Sequence, residues 1–177
     1  MTVKEELAAY LSAFCSDPQP YSLETISDEL PLHQQSIVAE FQSTTQFTIT
    51  LDKDNRGPFA GLFRIRLNGL RIWLNGARSK DTGTTVKLRI QTNGLYGDFS
   101  ESSYFTFATK PLKRTFWYRL EGTNPGKVLV DAVVPSGFHN APTPFAQWTV
   151  SLVNPDDVDL SGLTSINFEW VGTAYGI

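Results

Sequence analysis

The residues best equipped for chemistry in this sequence are a tryptophan and three arginines set close together. They are Arg64, Arg66, Arg71 and Trp73, within Phe63-Arg-Ile-Arg-Leu-Asn-Gly-Leu-Arg-Ile-Trp-Leu74. Guanidinium groups pair bidentately with carboxylates and phosphates and lie over aromatic faces, so the chemistry on offer is recognition. Asn68-Gly69 separates two alternating apolar runs, and this dipeptide accepts the positive φ angles of a type I′ turn. A two-residue hairpin closed there sets Leu67 against Leu70, Ile65 against Ile72 and Phe63 against Leu74 on one apolar face. Its other face carries Arg64 opposite Trp73, a cation–π pair, and Arg66 opposite Arg71, a like-charge pair that needs an anion. The alternative is one long strand bulged at Asn68-Gly69, which also corrects the change of face between Leu67 and Leu70. The hairpin is the preferred reading. The answering anion can be a partner, or it can be internal: Asp28, Glu29 or the Asp156-Asp157-Val158-Asp159 loop.

Two further aromatics join the candidate set. Trp117 and Tyr118 are adjacent in Phe116-Trp-Tyr-Arg-Leu120, so one faces the core and the other faces outward. Trp148 and Trp170 sit within apolar alternation and belong to the core. The binding set is therefore Arg64, Arg66, Arg71, Trp73, Trp117 and Tyr118.

Catalytic patterns are missing from the sequence. His33 and His139 lack a second His or Cys at metal-ligand spacing. Cys15 has no accompanying pattern for a thiol nucleophile and reads as a small buried residue. There is neither a nucleophile elbow nor a glycine-rich phosphate loop. Asp131 and Glu169 lie on strands and could act as a glycosidase pair only at a set separation across a cleft. Asp52-Lys-Asp-Asn-Arg-Gly57 begins like a calcium loop, but Arg56 stands where an oxygen ligand belongs and Phe63 stands in place of the closing Glu. The expectation is a non-enzymatic chain with no catalytic residue, metal or cofactor.

The elements that must position these residues are mostly strands. Phe47–Leu51, Val86–Ile90, Tyr104–Ala108, Phe116–Leu120, Lys127–Val134, Gln147–Leu152 and Ser165–Trp170 alternate apolar with polar. Turn residues separate them, including a second Asn-Gly at Asn93-Gly94. That pattern predicts an all-β, antiparallel β-sandwich, jelly-roll-like. Ahead of it, Thr2–Cys15 has helical spacing with a capping box at Thr2 and Glu5. Ser16–Ser43 is acidic, proline-broken and read as irregular, with room for one or two helical turns at Ser22–Leu30 and a helix candidate at Leu32–Phe41. The expected division is a helical and irregular extension over 1–45 and a sandwich over 46–177.

The net charge of −3 conceals a strong asymmetry. Residues 1–62 carry three Lys/Arg against nine Asp/Glu, residues 63–119 eleven against three, and residues 120–177 one against six. Either the middle third forms a basic surface, or strands from the three thirds interleave and cancel. The basic third has some of the cation–aromatic interleaving that nucleic acid wants, but a pI of about 5.3 over the whole chain and the interleaving of strands argue against that partner. No apolar run approaches the ~20 residues of a membrane span. Glu5 and Glu6 interrupt any N-terminal leader, so synthesis in the cytoplasm is expected, with export only as part of a complex. The single cysteine excludes an internal disulfide.

From about Phe47 onward the chain resembles the C-terminal β-sandwich of the A component of Tc insecticidal toxin complexes. The likeness rests on Phe63-Arg-Ile-Arg66 running into a strand ending Trp73-Leu74, and on Trp148-Thr-Val-Ser-Leu-Val-Asn154 followed by an acidic loop. It continues through Leu160-Ser-Gly-Leu163 into Ile166-Asn-Phe-Glu-Trp170. It implies a module that docks the toxin's B component, or a related protein, without catalysis. The expected function is protein–protein assembly. The alternatives are a lectin-like, carbohydrate-binding sandwich and a self-associating structural protein.

Overall fold

In the computed structural model, which describes residues 18–27, 37–81, 84–100, 103–134 and 141–176, the alternating segments become two antiparallel sheets packed face to face. The strands are β1 (Gln19–Ile26), β2 (Gln46–Thr50), β3 (Leu62–Asn75), β4 (Arg78–Ser79), β5 (Thr85–Ser100) and β6 (Ser103–Ala108). They continue with β7 (Lys113–Glu121), β8 (Asn124–Val130), β9 (Ala146–Leu152), β10 (Val158–Asp159) and β11 (Ser165–Gly176). The smaller sheet has the order β1-β11-β3, and the larger β2-β9-β5-β7-β8. β6 and β7 lie end to end along β5, because Leu95 pairs with Ala108 while Gln91 pairs with Lys113. β4 and β10 form a separate two-stranded pair.

After β8 the chain changes sheets. Val133 bridges Gly69, Leu70 N donates to Ala132 O at 3.2 Å, and Val134 N donates to Asn68 O at 2.8 Å. Residues 131–134 thus cover the free edge of β3. The resulting order, β1-β11-β3 and this segment against β2-β9-β5-β7, is the double Greek key of a jelly roll.

The structure corrects three sequence expectations. First, Asn68-Gly69 is not a hairpin turn: β3 is one strand, and Val171 pairs with Gly69 while Gly172 pairs with Leu67. Asn68 is the extra residue of a bulge. An inserted residue restores the face, so Ile65, Leu67, Leu70, Ile72 and Leu74 are all buried. The bulge needs Gly172 opposite it, since a Cβ there would lie 1.9 Å from Arg66 O and 2.6 Å from the Tyr21 hydroxyl. Second, Asn93-Gly94 is also interior to a strand. Gly94 has φ +83° and Asn93 Oδ1 accepts from Leu95 N at 3.1 Å, so the chain kinks within β5 and the ladder to β9 slips between Thr92 and Tyr96. Third, the stretch read as an irregular linker supplies β1, which pairs with β11 from Gln19–Ala174 to Ile26–Asn167. The sandwich therefore begins well before residue 46.

The helix candidate at Leu32–Phe41 corresponds to α1 (Ile37–Thr44). It is too short to persist alone and is held by docking: Ile37 and Phe41 are buried, and Phe41 meets Phe47 edge-on at 5.3 Å. The helix expected at Thr2–Cys15, together with Cys15, His33 and His139, lies outside the described residues. The core between the sheets is aromatic. Trp148 and Trp170, both buried as expected, meet at 5.5 Å with ring planes 74° apart, and Phe168 stacks on Trp170.

Candidate functional site

Because β3 is one strand, Arg66 and Arg71 are not cross-strand neighbours and Arg64 does not face Trp73. Each guanidinium has its own internal environment. Arg66 pairs through Nη1 with Oδ2 of the fully buried Asp98, whose Oδ1 accepts from Ile65 N at 3.1 Å and Phe99 N at 2.8 Å. Arg71 is held by two carboxylates: its Nη2 and Nε reach Asp131 at 2.7 and 3.1 Å, and its Nη1 reaches Glu169 at 3.1 Å. The bond to Asp131 keeps the guanidinium pKa above its ordinary value. Asp131 and Glu169 are thus engaged with Arg71. Arg64, at φ +48°, lies 5.8 Å from the Tyr175 ring.

Trp73, expected on the outer face, turns inward, and of the adjacent Trp117 and Tyr118 it is Tyr118 that faces the core. Trp73 meets Phe116 at 5.1 Å and Tyr118 at 4.9 Å, closing the corner between the sheets, and its Nε1 donates to Glu169 Oε2 at 3.4 Å. Tyr118 is buried, and its hydroxyl accepts from Leu74 N at 3.0 Å. The carboxylates that answer the β3 arginines are Asp98, Asp131 and Glu169, not those of the 156–159 loop. Asp28 and Glu29 lie outside the described residues.

Trp117 is the member of the set that stays on an outer face, half-buried among cations the sequence reading did not single out. β5 and β7 are adjacent, and their register sets Lys87 opposite Trp117, Arg89 opposite Thr115, Gln91 opposite Lys113 and Thr85 opposite Arg119. Alternate residues of β5 and β7 (Val86, Leu88, Ile90, Phe116, Tyr118, Leu120) are buried against the smaller sheet. The first set therefore points away from the core. Lys87 Nζ stands 5.0 Å from the centre of the Trp117 ring, within cation–π range. Among the described residues, no carboxylate lies within ion-pair distance of Lys87, Arg89, Lys113 or Arg119. Lys87 and Arg89 stand two residues apart on one face, about 7 Å, which is inside the screening length of physiological salt. No described carboxylate offsets their mutual repulsion.

Both expectations about charge are therefore met in different places. Where β3 pairs with β11, the basic and acidic thirds interleave and Arg71 is neutralised. Where β5 pairs with β7, two basic strands adjoin and their charge accumulates. The signal was in the alternation of Val86-Lys-Leu-Arg-Ile90 and Phe116-Trp-Tyr-Arg-Leu120. Missing from it was the pairing that lays the two segments side by side. Beyond β5 the surface is uncharged: Gln147, Thr149 and Ser151 on β9, then Gln46, Thr48 and Thr50 on β2. The Asp52–Gly57 segment is a turn in which Asp52 Oδ1 accepts from Asp54 N and Asn55 N, both at 2.9 Å. Arg56, at its fifth position, lies over the Phe99 ring at 3.7 Å. No family model matches the sequence, and no curated protein is significantly similar to it.

Proposed function

We propose that this jelly roll is a binding module that assembles with an acidic protein surface through the outer face of β5 and β7. The observation that carries this reading is the group Lys87, Arg89, Lys113 and Arg119 around Trp117, four cations without an internal counter-ion among the described residues. A chain with net charge −3 gains nothing for its own stability from gathering like charges on one patch, whereas a complementary partner gains both steering and specificity. Tryptophan and arginine are the residues on which interface energy concentrates. A protein fits better than a nucleic acid, because only one aromatic interrupts the cations and the flanking β9 and β2 faces are uncharged. The resemblance to the toxin-complex sandwich supplies one class of partner, a B-component-like protein. The face on β5 and β7 replaces Arg66 and Arg71 as the docking surface.

The test compares wild type with the double variant Arg89→Glu/Arg119→Glu on immobilised poly-glutamate and on a single-stranded oligonucleotide across a salt series. Wild type is expected to bind poly-glutamate more tightly than the oligonucleotide, with affinity falling as salt rises. The variant is expected to lose that binding while its thermal midpoint stays unchanged. Equal binding by the variant, or a preference for the oligonucleotide, overturns the proposal.

A further inference from the structure

At the kinked end of β5 the same sheet carries an open cleft of about 570 Å³, within the usual range for small-ligand sites. Its walls are the β2 end with the turn that follows it, the start of β9, and the β5–β6 ribbon. Gly97 makes the cleft. A Cβ at that position would fall 1.8 Å from the Tyr104 hydroxyl oxygen and 2.3 Å from Cζ, so the bare glycine lets the Tyr104 ring lie across β5. The ring is backed by Phe99 at 4.9 Å and by the buried Phe145 at 6.4 Å.

The polar groups around this ring are placed but unspent. Asp52 uses Oδ1 to hold its turn, which leaves Oδ2. Asn93 uses Oδ1 on Leu95 N, which leaves its amide NH₂. The Gln147 amide and the Tyr104 and Thr106 hydroxyls line the opening and bond to no other described group. Burial, with Asp52 as the next cause, holds the Tyr104 phenol above its ordinary pKa, so it stays a neutral hydroxyl. Among the described residues no Lys or Arg lines the cleft, and Asp52 is its one carboxylate. An anionic ligand is therefore disfavoured.

We infer that this cleft is a binding site for a neutral saccharide. Vicinal sugar hydroxyls both donate and accept, and so match a carboxylate oxygen and two amides set around a hollow. The C–H face of a pyranose covers an aromatic ring at little ordering cost to the protein, because Tyr104 is already fixed by its packing. The site rests on residues separate from the cationic face of β5 and β7, so either reading can fail alone.

The experiment is a binding screen of wild type against immobilised neutral di- to hexasaccharides built from glucose, galactose, mannose or N-acetylglucosamine. It is repeated with Gln147→Ala, Tyr104→Phe and Arg89→Glu/Arg119→Glu. Gln147 is exposed, so its truncation leaves the fold intact. Wild type is expected to retain at least one saccharide class. Gln147→Ala and Tyr104→Phe should each weaken that binding about tenfold, the scale of one lost hydrogen bond. The charge-swapped variant should bind the saccharide as wild type does. Retention of no neutral saccharide by wild type, or binding indifferent to both Gln147→Ala and Tyr104→Phe, overturns the inference.

Discussion

Asp98 is a carboxylate with no exposure to solvent, and among the described residues Arg66 is the only cation paired with it. Two backbone amides share its charge but do not neutralise it. Arg66→Met should therefore cost about 3 kcal/mol, because breaking one side of a buried pair leaves the other charge uncompensated. A fall in the urea midpoint at unchanged slope would measure it. Tyr118 makes a related case for a neutral group. Burial pushes its hydroxyl well above the ordinary tyrosine range, and the bond from Leu74 N opposes this only in part. Burial, and then Asp98, moves Tyr21 the same way. Unfolded tyrosine ionises near pH ~10 while these two hold their protons. The stability they contribute is fully present below that pH and is lost as pH rises above it. Tyr118→Phe should cost about 1 kcal/mol at neutral pH by leaving Leu74 N unpaired. It should also shed part of the alkaline slope, since Tyr21 and Tyr104 still supply the rest. Thermal melts between neutral and strongly alkaline pH would show both effects.

At the scale of elements, the lesson is in the two Asn-Gly pairs. Both have the residue chemistry of a tight turn, and both lie inside long strands. Local propensity permits turn and bulge alike; what decides is whether a neighbour needs the strand to continue. β11 pairs with β3 on both sides of Asn68, and β6 extends the edge of β5 beyond Asn93. That information sits a hundred residues away for Asn68, and no window of local sequence contains it. The same limit hid β1, whose Pro20 and acidic surroundings read as linker until β11 is laid beside it. The existence of β2, β3, β5 to β9 and β11, their buried faces and the core tryptophans, by contrast, follow from alternation alone and were legible. Deleting Asn68 tests the bulge directly. Either half of β3 would then turn its apolar row outward, and the expected result is loss of the cooperative thermal transition. Asn68→Gly, which keeps the residue count, should melt within a few degrees of wild type. A cooperative melt of the deletion variant would show that β3 can change register freely.

At the scale of the whole molecule, charge is sorted by which strands become neighbours. Arg66 and Arg71 of β3 are paired internally with carboxylates, and that removes the face on which sequence reasoning placed recognition. The cations of β5 and β7 gather on the opposite layer, where only the Trp117 position had been anticipated. The candidate site was thus legible as a charge excess in one third of the chain and illegible as a surface, because surfaces are made by pairing. One last consequence follows from the register of β1 with β11. Gln19 sits beside Ala174, so the start of β1 and the end of β11 share one corner of the thinner layer. A host loop spliced on at those two strand ends would meet the sandwich through a single stalk.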